Sequence, residues 1–373
     1  MSILYSTEKG WIISHLQYID KLYAKVQNRN ESNFFYSLHF NKDLFNINSK
    51  FLRKNQLKNA SDELSVSKSR KRKKLNLLPD DFLKEIKHVR DIFNNFMNTL
   101  EAKKIFSKSV NSDNNEAALT LSRQLFYTSQ KVLNNSSIEG SFIEETSIKI
   151  LENEEFVIPK NCEFFCNDVR NLNEKLSFNN QFDFILMDPP WWNKSIRRKK
   201  AKFIESSYKM MYNNEMTNLQ IGKLLSKNGI IAIWCTNSAS NLRCILDEMF
   251  PSWGVKFLAK WYWVKITKSG DVVCDFNETH GKQPYELLII GTSEFNSKID
   301  IPNEKLIVSV PSAMHSHKPP LNEIIAPYLM ENPKCLEIFA RYLLPNWTSF
   351  GYEALKFQHI AFFTRNEEEN KNV

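Results

Sequence analysis

From about residue 155 onward, apolar residues fall in short uninterrupted runs of four to seven. The runs are EFFC, FDFILM, GIIAIWC, KWYWVKI, YELLIIG, KLIVSV and CLEIFA, with helix-like or loop segments between them. A strand that is covered on both faces has no polar side, so such runs indicate buried strands. Their alternation with helical segments predicts an α/β domain over residues 155–365, with a mostly parallel sheet flanked by helices.

The first 154 residues show a different pattern, which predicts a mainly helical region. Apolar residues at helical spacing, beginning after Pro79 with two aspartates, predict a helix over about 80–105. A second helix is expected over about 115–134 and a short third one in the 140s. Residues 1–48 form an N-terminal region of unclear fold, 49–76 a basic linker, 77–154 a helical segment and 366–373 a tail.

Charge is concentrated in one segment of the chain. Ten Lys or Arg lie between Lys50 and Lys74 against Asp62 and Glu63, which gives +8, the formal net charge of the whole chain. Such a segment favours a nucleic acid partner or nuclear import, and a solvated linker is the equal alternative. The cluster SRKRKK therefore predicts a nuclear location, with the cytoplasm as a second compartment.

Composition excludes several classes of protein. The six cysteines form no CxxC pair and lie in apolar runs, so we expect reduced core thiols and no metal site. No run of eighteen apolar residues is present, and the N-terminus lacks the pattern of a signal peptide. We therefore expect no membrane span.

The run FDFILM ends in Asp188, Pro189, Pro190 and Trp191, a stiff sequence that indicates a site rather than a turn. A carboxylate, a carbonyl and an aromatic face suit a planar ring with an exocyclic amino group, and adenine is the obvious candidate. Hydrogen bonds from both amino protons would free the nitrogen lone pair to attack a methyl sulfonium. The alternative is a chance motif in which the tryptophan is a core anchor.

Polar and basic residues follow the motif. Asn193, Lys194, Arg197 and Arg198 could contact the target nucleotide or its phosphates, or they could be loop surface. His280 and His317 are candidate bases, although a lone histidine is more often structural.

The chain resembles the DPPW-motif (MT-A type) N6-adenine methyltransferases, and within them the methyltransferase-like protein four branch. The similar segments are NDVRNL, DPPWWNKS, PSWGVKFLAKWYWVKITKSG, KQPYELLIIG, KLIVSVPSAMHSHKPPLNEII and LEIFARYLLPNWTSFGYEALKFQH. They cover most of residues 160–360 in the family's order. The resemblance implies a Rossmann-like methyltransferase fold that binds S-adenosylmethionine.

The resemblance also implies individual roles. Asp168 matches the acid near the cofactor adenine, and Lys318 matches a lysine that pairs with the methionine carboxylate. His317, next to Lys318, is expected to contact the cofactor as well. Arg341 matches an arginine near the ribose, and Asp188 belongs to both the cofactor and the catalytic groups.

One segment departs from the family's pattern. Where the family has Gly-Asn-Glu or Gly-Asn-Gln, this chain has Gly351-Tyr352-Glu353, and both Tyr352 and Glu353 are expected at the cofactor. The larger tyrosine either takes over the role of the asparagine or weakens cofactor binding. The departure keeps open a non-catalytic RNA-binding scaffold with a methyltransferase fold.

The branch implies N6-methylation of 2′-O-methyladenosine in U2 small nuclear RNA, and DNA adenine is the alternative substrate. RNA is favoured because single strands present unstacked bases. We expect activity as a monomer, although a paralogous partner chain is a further alternative. Because Asp188 is expected to face an open cleft, Asp188→Ala is expected to abolish transfer and leave the fold intact.

Overall fold

The computed structural model describes residues 2–28, 35–51, 79–106, 115–133, 137–191, 211–278, 281–296 and 299–365. Within these ranges the strands, in chain order, are β1 (Ile3–Thr7), β2 (Gly10–Ile13), β3 (Val26–Gln27), β4 (Phe35–Tyr36), β5 (Leu38–Phe40), β6 (Glu139–Phe142), β7 (Ser147–Leu151), β8 (Glu154–Ile158), β9 (Cys162–Phe165), β10 (Phe182–Met187), β11 (Leu225–Cys235), β12 (Val255–Lys265), β13 (Tyr285–Ser293), β14 (Leu306–Ser309), β15 (Cys335–Ile338), β16 (Trp347–Phe350) and β17 (Phe363–Arg365).

The α-helices of the same ranges are α1 (His15–Leu22), α2 (Asp80–Met97), α3 (Leu100–Ile105), α4 (Glu116–Leu133), α5 (Leu172–Lys175), α6 (Asn213–Thr217), α7 (Ile221–Leu224), α8 (Ala239–Arg243), α9 (Phe250–Ser252) and α10 (Asn322–Ile325). A π-helical turn (Cys244–Met249) joins α8 to α9.

One large sheet organises the fold, with strand order β1-β2-β14-β12-β13-β11-β10-β15-β16-β9-β6. Neighbouring strands from β11 through β10, β15 and β16 to β9 are parallel, whereas β13 runs antiparallel to both of its neighbours. The prediction of a mostly parallel sheet flanked by helices is confirmed. Every apolar run that predicted a strand is a strand of this sheet.

The helical predictions succeed in part. The expected first helix begins at Asp80 and is divided at residues 98–99, where the Thr99 hydroxyl caps α3. The expected second helix is α4. The short helix expected in the 140s is wrong, because β6 and β7 occupy that stretch and pair with β9 and β8.

The N-terminal segment belongs to the large sheet. Strand β2 runs parallel to β14, with Gly10 opposite Leu306. Gly10 has φ +148°, and a Cβ atom there would lie 2.1 Å from the Leu306 carbonyl oxygen, so only glycine fits. The β1–β2 hairpin thus completes the sheet beside β14, while the division of the chain into domains stays a prediction.

The sheet separates two apolar cores. In β10, Ile185 and Met187 point into one core, and Phe184 and Leu186 point into the other. Helix α2 buries its apolar face in the first core, and residues of α1 and α10 cover the second. The carboxyl end of β10 therefore lies inside the molecule, between both layers.

The sequence predicts no membrane span, no metal site and reduced cysteine thiols. None of the described helices combines the length and apolar character needed to cross a membrane. The residues that the structure describes contain no group of three metal-binding side chains, and the lack of a metal stays a prediction. All six cysteines are free thiols, and five of them are buried.

Candidate active site

Three functional side chains follow three adjacent parallel strands. Asp188 comes directly after β10, Arg341 shortly after β15 and Glu353 shortly after β16. These strands are neighbours in the sheet, so their carboxyl ends meet at one edge. The Asp188 amide donates to the Ile338 carbonyl at 3.3 Å, which fixes the motif against β15.

Ion pairs join these side chains into a buried network. Arg341 donates through Nη1 to Asp188 and contacts Glu353 through Nε at 3.3 Å, and Lys318 Nζ lies 3.4 Å from Asp188. Lys356 Nζ lies 2.9 Å from the other oxygen of Glu353. Asp188 is only 6% exposed, so the expectation that its carboxylate faces an open cleft is wrong. Its two basic partners hold it inside the protein.

The network continues to the next strands of the sheet. Glu286 of β13 pairs with both Lys318 and Lys265. Burial disfavours the charged form of Glu286, but the two lysines outweigh it and hold the pKa of its carboxyl well below the usual range. Burial likewise opposes the charge of Lys318, yet Asp188 and Glu286 raise its pKa. Both groups are therefore charged at neutral pH.

The rest of the motif is fixed by its own hydrogen bonds. The Pro189 carbonyl accepts the Trp191 amide at 2.8 Å, which leaves one of its two lone pairs for a ligand. Trp191 is 5% exposed, and its Nε1 donates to the Trp234 carbonyl at 2.8 Å. The indole is thus a core anchor in this structure, and its stacking on a substrate base stays a prediction.

A narrow cleft lies beside the network. Its walls are Asp168, Val169, Arg170, Pro190, Met211, Phe339, Ala340, Tyr352 and Glu353. The fold thus brings Asp168, Tyr352 and Glu353, which are far apart in sequence, to one cavity next to the Asp188 motif. Tyr352 is 43% exposed and presents its ring at the mouth of the cleft.

Asp168 occupies the amino end of a short 3₁₀ turn at this cleft. Its carboxylate accepts the Arg170 amide at 3.0 Å and pairs with the Arg170 guanidinium at 2.9 Å. The same guanidinium binds Glu215 of α6 at 2.7 Å. Asp168 is therefore held in one orientation and still has lone pairs for a ligand.

Phe339 shapes the cleft from the segment after β15. Its φ is +63°, an uncommon value for a bulky residue, and such backbone strain is often found at functional sites. A Cβ atom at Gly351 would lie 3.0 Å from the Phe339 Cα atom, so the two segments pack backbone to backbone. This close approach brings Tyr352 beside Phe339.

His317 lies away from the cleft. Its ring stacks on Phe357 at 4.5 Å between centroids, and it lines a separate, mostly apolar pocket. Burial lowers the pKa of His317 to about 3, so the ring is neutral. The ring packs among Phe40, Phe45 and Tyr342 and does not line the described cleft, so the predicted cofactor contact of His317 has no place there.

Comparison with known families identifies the region that carries this geometry. Residues 182–353 match the MT-A70 family. The chain is similar to the MT-A70 family over this span. The matched span contains the Asp188 motif, the basic residues Lys318 and Arg341, and the Tyr352–Glu353 pair.

Several proteins that are similar to this chain carry related names. The N(6)-adenine-specific methyltransferase METTL4 of Homo sapiens is 38% identical over 242 residues, 62% of this chain and 48% of that protein. A DNA N6-methyl methyltransferase of Caenorhabditis elegans is 34% identical over 222 residues, 58% of this chain and 59% of that protein. An N6-methyladenosine RNA methyltransferase MTA1 of Cryphonectria parasitica is 34% identical over 184 residues, 49% and 54% of the two chains. The chain therefore spans about half the length of the relatives it matches.

Some of the predicted contacts fall on residues outside the described ranges. Asn193, Lys194, Arg197 and Arg198 lie outside the described residues, as does His280. Their proposed contacts with a nucleotide stay predictions.

Other residues of the site were missed by sequence reasoning. Glu286, Glu337, Lys356 and Arg170 join or flank the network, although the sequence assigned them no role. A signal existed for the first two, because each is a single acid inside an apolar run, YELLIIG and CLEIFA. A charged residue in a buried strand has to be paired or neutralised.

Proposed function

We propose that this chain transfers a methyl group from S-adenosylmethionine to N6 of an adenine in nucleic acid. The observation that carries the proposal is the placement of Asp188 at the carboxyl edge of the sheet, between Arg341 and Lys318 and beside the cleft. The match of the same residues to the MT-A70 family supports it.

The donor set fits S-adenosylmethionine. The Asp168 carboxylate can accept the adenine amino group, and Val169, Phe339 and Ala340 offer apolar walls for the ring. Lys318, whose side chain is 11% exposed, offers a cation for the methionine carboxylate. Glu353 and Tyr352 supply oxygen atoms for the ribose hydroxyls. The cofactor contributes an electrophilic methyl group on a sulfonium whose leaving group is neutral.

The chain's own residues then orient the target base. An adenine amino group can donate one N–H to Asp188 and the other to the free lone pair of the Pro189 carbonyl. These bonds localise the nitrogen lone pair and aim it at the cofactor side of the cleft. Orientation and electrostatic fit are the main contributions, and the released proton passes to Asp188 or water.

RNA is the substrate we favour, specifically N6 of 2′-O-methyladenosine in U2 small nuclear RNA, as the resemblance of the sequence implies. The name of the Cryphonectria relative supports RNA, and the name of the Caenorhabditis relative supports DNA as the second candidate. In either case the base has to be unpaired or flipped to enter the pocket. We further propose a nuclear location from the basic segment, and activity as a monomer.

The test is methyl transfer from labelled S-adenosylmethionine to three substrates: RNA oligonucleotides with and without 2′-O-methyladenosine, and a DNA duplex. Asp188→Asn is the inactive variant. The matched control is Asp183→Asn, the same change at the opposite end of β10, where the carboxylate accepts Ser226 Oγ at 2.9 Å and the Lys334 amide at 3.0 Å.

Transfer to RNA that rises with the 2′-O-methyl group and is lost only in Asp188→Asn is the expected result. Transfer to DNA alone would keep the reaction and replace the substrate. Folded protein that neither transfers methyl groups nor binds the cofactor would overturn the proposal in favour of an RNA-binding scaffold.

A further inference from the structure

Glu337 is a buried acid that forms no ion pair with any base in the described part of the chain. It lies in the middle of β15, opposite Leu186 of β10 and Ser349 of β16, and is 4% exposed. Its Oε2 atom is buried and has no hydrogen-bond partner among the described residues. A carboxylate in such a place carries a large desolvation cost, so a neutral carboxylic acid is the stable form.

The groups that act on Glu337 come from several elements. Asp188 follows β10 and Arg341 follows β15, and both change the pKa of Glu337. Burial, then Glu337 and Tyr18 of α1, raise the pKa of Tyr342. Burial first, and then Asp188, raise the pKa of Glu337 to about 8, and Arg341 opposes them in part. Glu337 is therefore protonated at neutral pH in the free protein.

The network beside Glu337 is built from charged side chains. The described ion pairs connect the cations Lys265, Lys318, Arg341 and Lys356 with the carboxylates Asp188, Glu286 and Glu353. Ionisation of Glu337 would add one negative charge next to this cluster.

The proposed cofactor would bring a positive charge to these groups. S-adenosylmethionine carries a carboxylate, an ammonium and a sulfonium, and thus a net charge of about one positive unit at neutral pH. After methyl transfer the sulfur is a neutral thioether, so the product carries no net charge. Binding of the substrate cofactor therefore adds a net positive charge to the site, whereas binding of the product adds none.

Resting on the proposed function, we propose that Glu337 loses its proton when the cationic cofactor binds, so that its carboxylate balances the charge of the sulfonium. The proton passes to solvent, and no covalent bond to carbon or sulfur changes in this step. The neutral product does not compensate the carboxylate, so Glu337 takes up a proton again. The ionisation of Glu337 thereby favours binding of the substrate cofactor over retention of the product.

Affinity for the cofactor should depend on pH. A group with a pKa of about 8 in the free protein and a lower pKa in the complex releases protons on binding. Cofactor affinity then rises with pH below about 8, by at most about tenfold per pH unit for one proton. At pH 7 the free acid is about nine-tenths protonated, so full ionisation would release about 0.9 proton per bound cofactor.

Isothermal titration calorimetry measures this release directly. The full chain is titrated at pH 7 with S-adenosylmethionine, and separately with S-adenosylhomocysteine, in phosphate and in Tris, whose heats of ionisation differ. We expect close to one proton released for the first ligand and little for the second. Glu337→Gln should still bind S-adenosylmethionine but release almost no protons. Glu163→Gln, on the nearby strand β9, is the matched control and should keep the release.

The outcomes separate the two proposals. If S-adenosylmethionine binds without proton release, or if Glu337→Gln releases as many protons as the unaltered chain, the role of Glu337 is refuted and the enzyme proposal stands. Absence of any cofactor binding refutes the proposed function itself. The comparison of the two ligands on the unaltered chain tests the inference even if Glu337→Gln does not fold.

Discussion

Replacement of Asp188 is expected to reduce stability as well as activity. Asp188→Ala removes the carboxylate that lies between Arg341 and Lys318, both of which remain buried. Removal of one member of a buried ion pair costs about 3–5 kcal/mol when the other charge is left alone. In this variant Arg341 still pairs with Glu353 at 3.3 Å and Lys318 still pairs with Glu286. We therefore expect Asp188→Ala to lower the free energy of unfolding by about 2–3 kcal/mol.

Asp188→Asn separates the two effects. The amide keeps an oxygen acceptor and the shape of the side chain but removes the negative charge. We expect it to recover part of the lost stability, while both variants lose transfer by about a hundredfold or more, since a preorganised electrostatic contact is missing.

Urea unfolding followed by circular dichroism, at pH 7 and low salt, measures the difference. A loss of about 2–3 kcal/mol should lower the unfolding midpoint by about 1 M. Asp183→Asn serves as the control within the same strand. If Asp188→Ala unfolds at the same urea concentration as the unaltered chain, the ion pairs contribute nothing to stability, and the buried network described above is refuted.

Three further predictions concern other parts of the molecule. Folded Glu337 keeps a proton that the unfolded chain releases near pH 4.5, so its own contribution to stability should fall as pH rises from about 4.5 to about 8. In urea unfolding across this range, the stability of the unaltered chain relative to Glu337→Gln should fall, and a constant difference would contradict the prediction. Deletion of residues 2–13 removes β1 and β2 and exposes the edge of β14, and we expect insoluble or unfolded protein by gel filtration, whereas a soluble monomer would contradict it. Replacement of the six bases among residues 68–74 by glutamine should flatten the salt dependence of RNA binding, with a change in slope of about 0.7 per lost phosphate contact; an unchanged slope would leave nuclear import as the role of that segment.

Much of the sheet could be predicted because buried parallel strands are continuous apolar runs. Strand β10 has the predicted bounds, since Phe182–Met187 is bordered by polar residues and by proline. Strand β16 could not be predicted, because Trp347–Phe350 is short and half polar and depends on its neighbours β15 and β9. The helix expected in the 140s failed for a related reason. Ile143 is 85% exposed, and the apparent helical spacing there reflected no buried face.

The site was predictable where a residue belongs to a motif and not where only the fold brings residues together. Asp188, Lys318 and Arg341 were expected near one another, and the structure joins them by ion pairs. The burial of Asp188 was not expected, because a motif does not state how many cations surround it. The roles of Glu286 and Glu337 follow from which strands are neighbours, and single runs carry no such information.

The position of β2 has a consequence for the order in which the chain can fold. Gly10 pairs with Leu306, which is 296 residues later in the chain. At about 5–20 residues per second, a ribosome needs about 15–60 s to synthesise the chain between them. During that time Trp11, Ile12 and Ile13, all buried in the finished sheet, have no native neighbour on the β14 side. Strand β2 is therefore made long before its partner β14, and this edge of the sheet can be completed only after Leu306 has been synthesised.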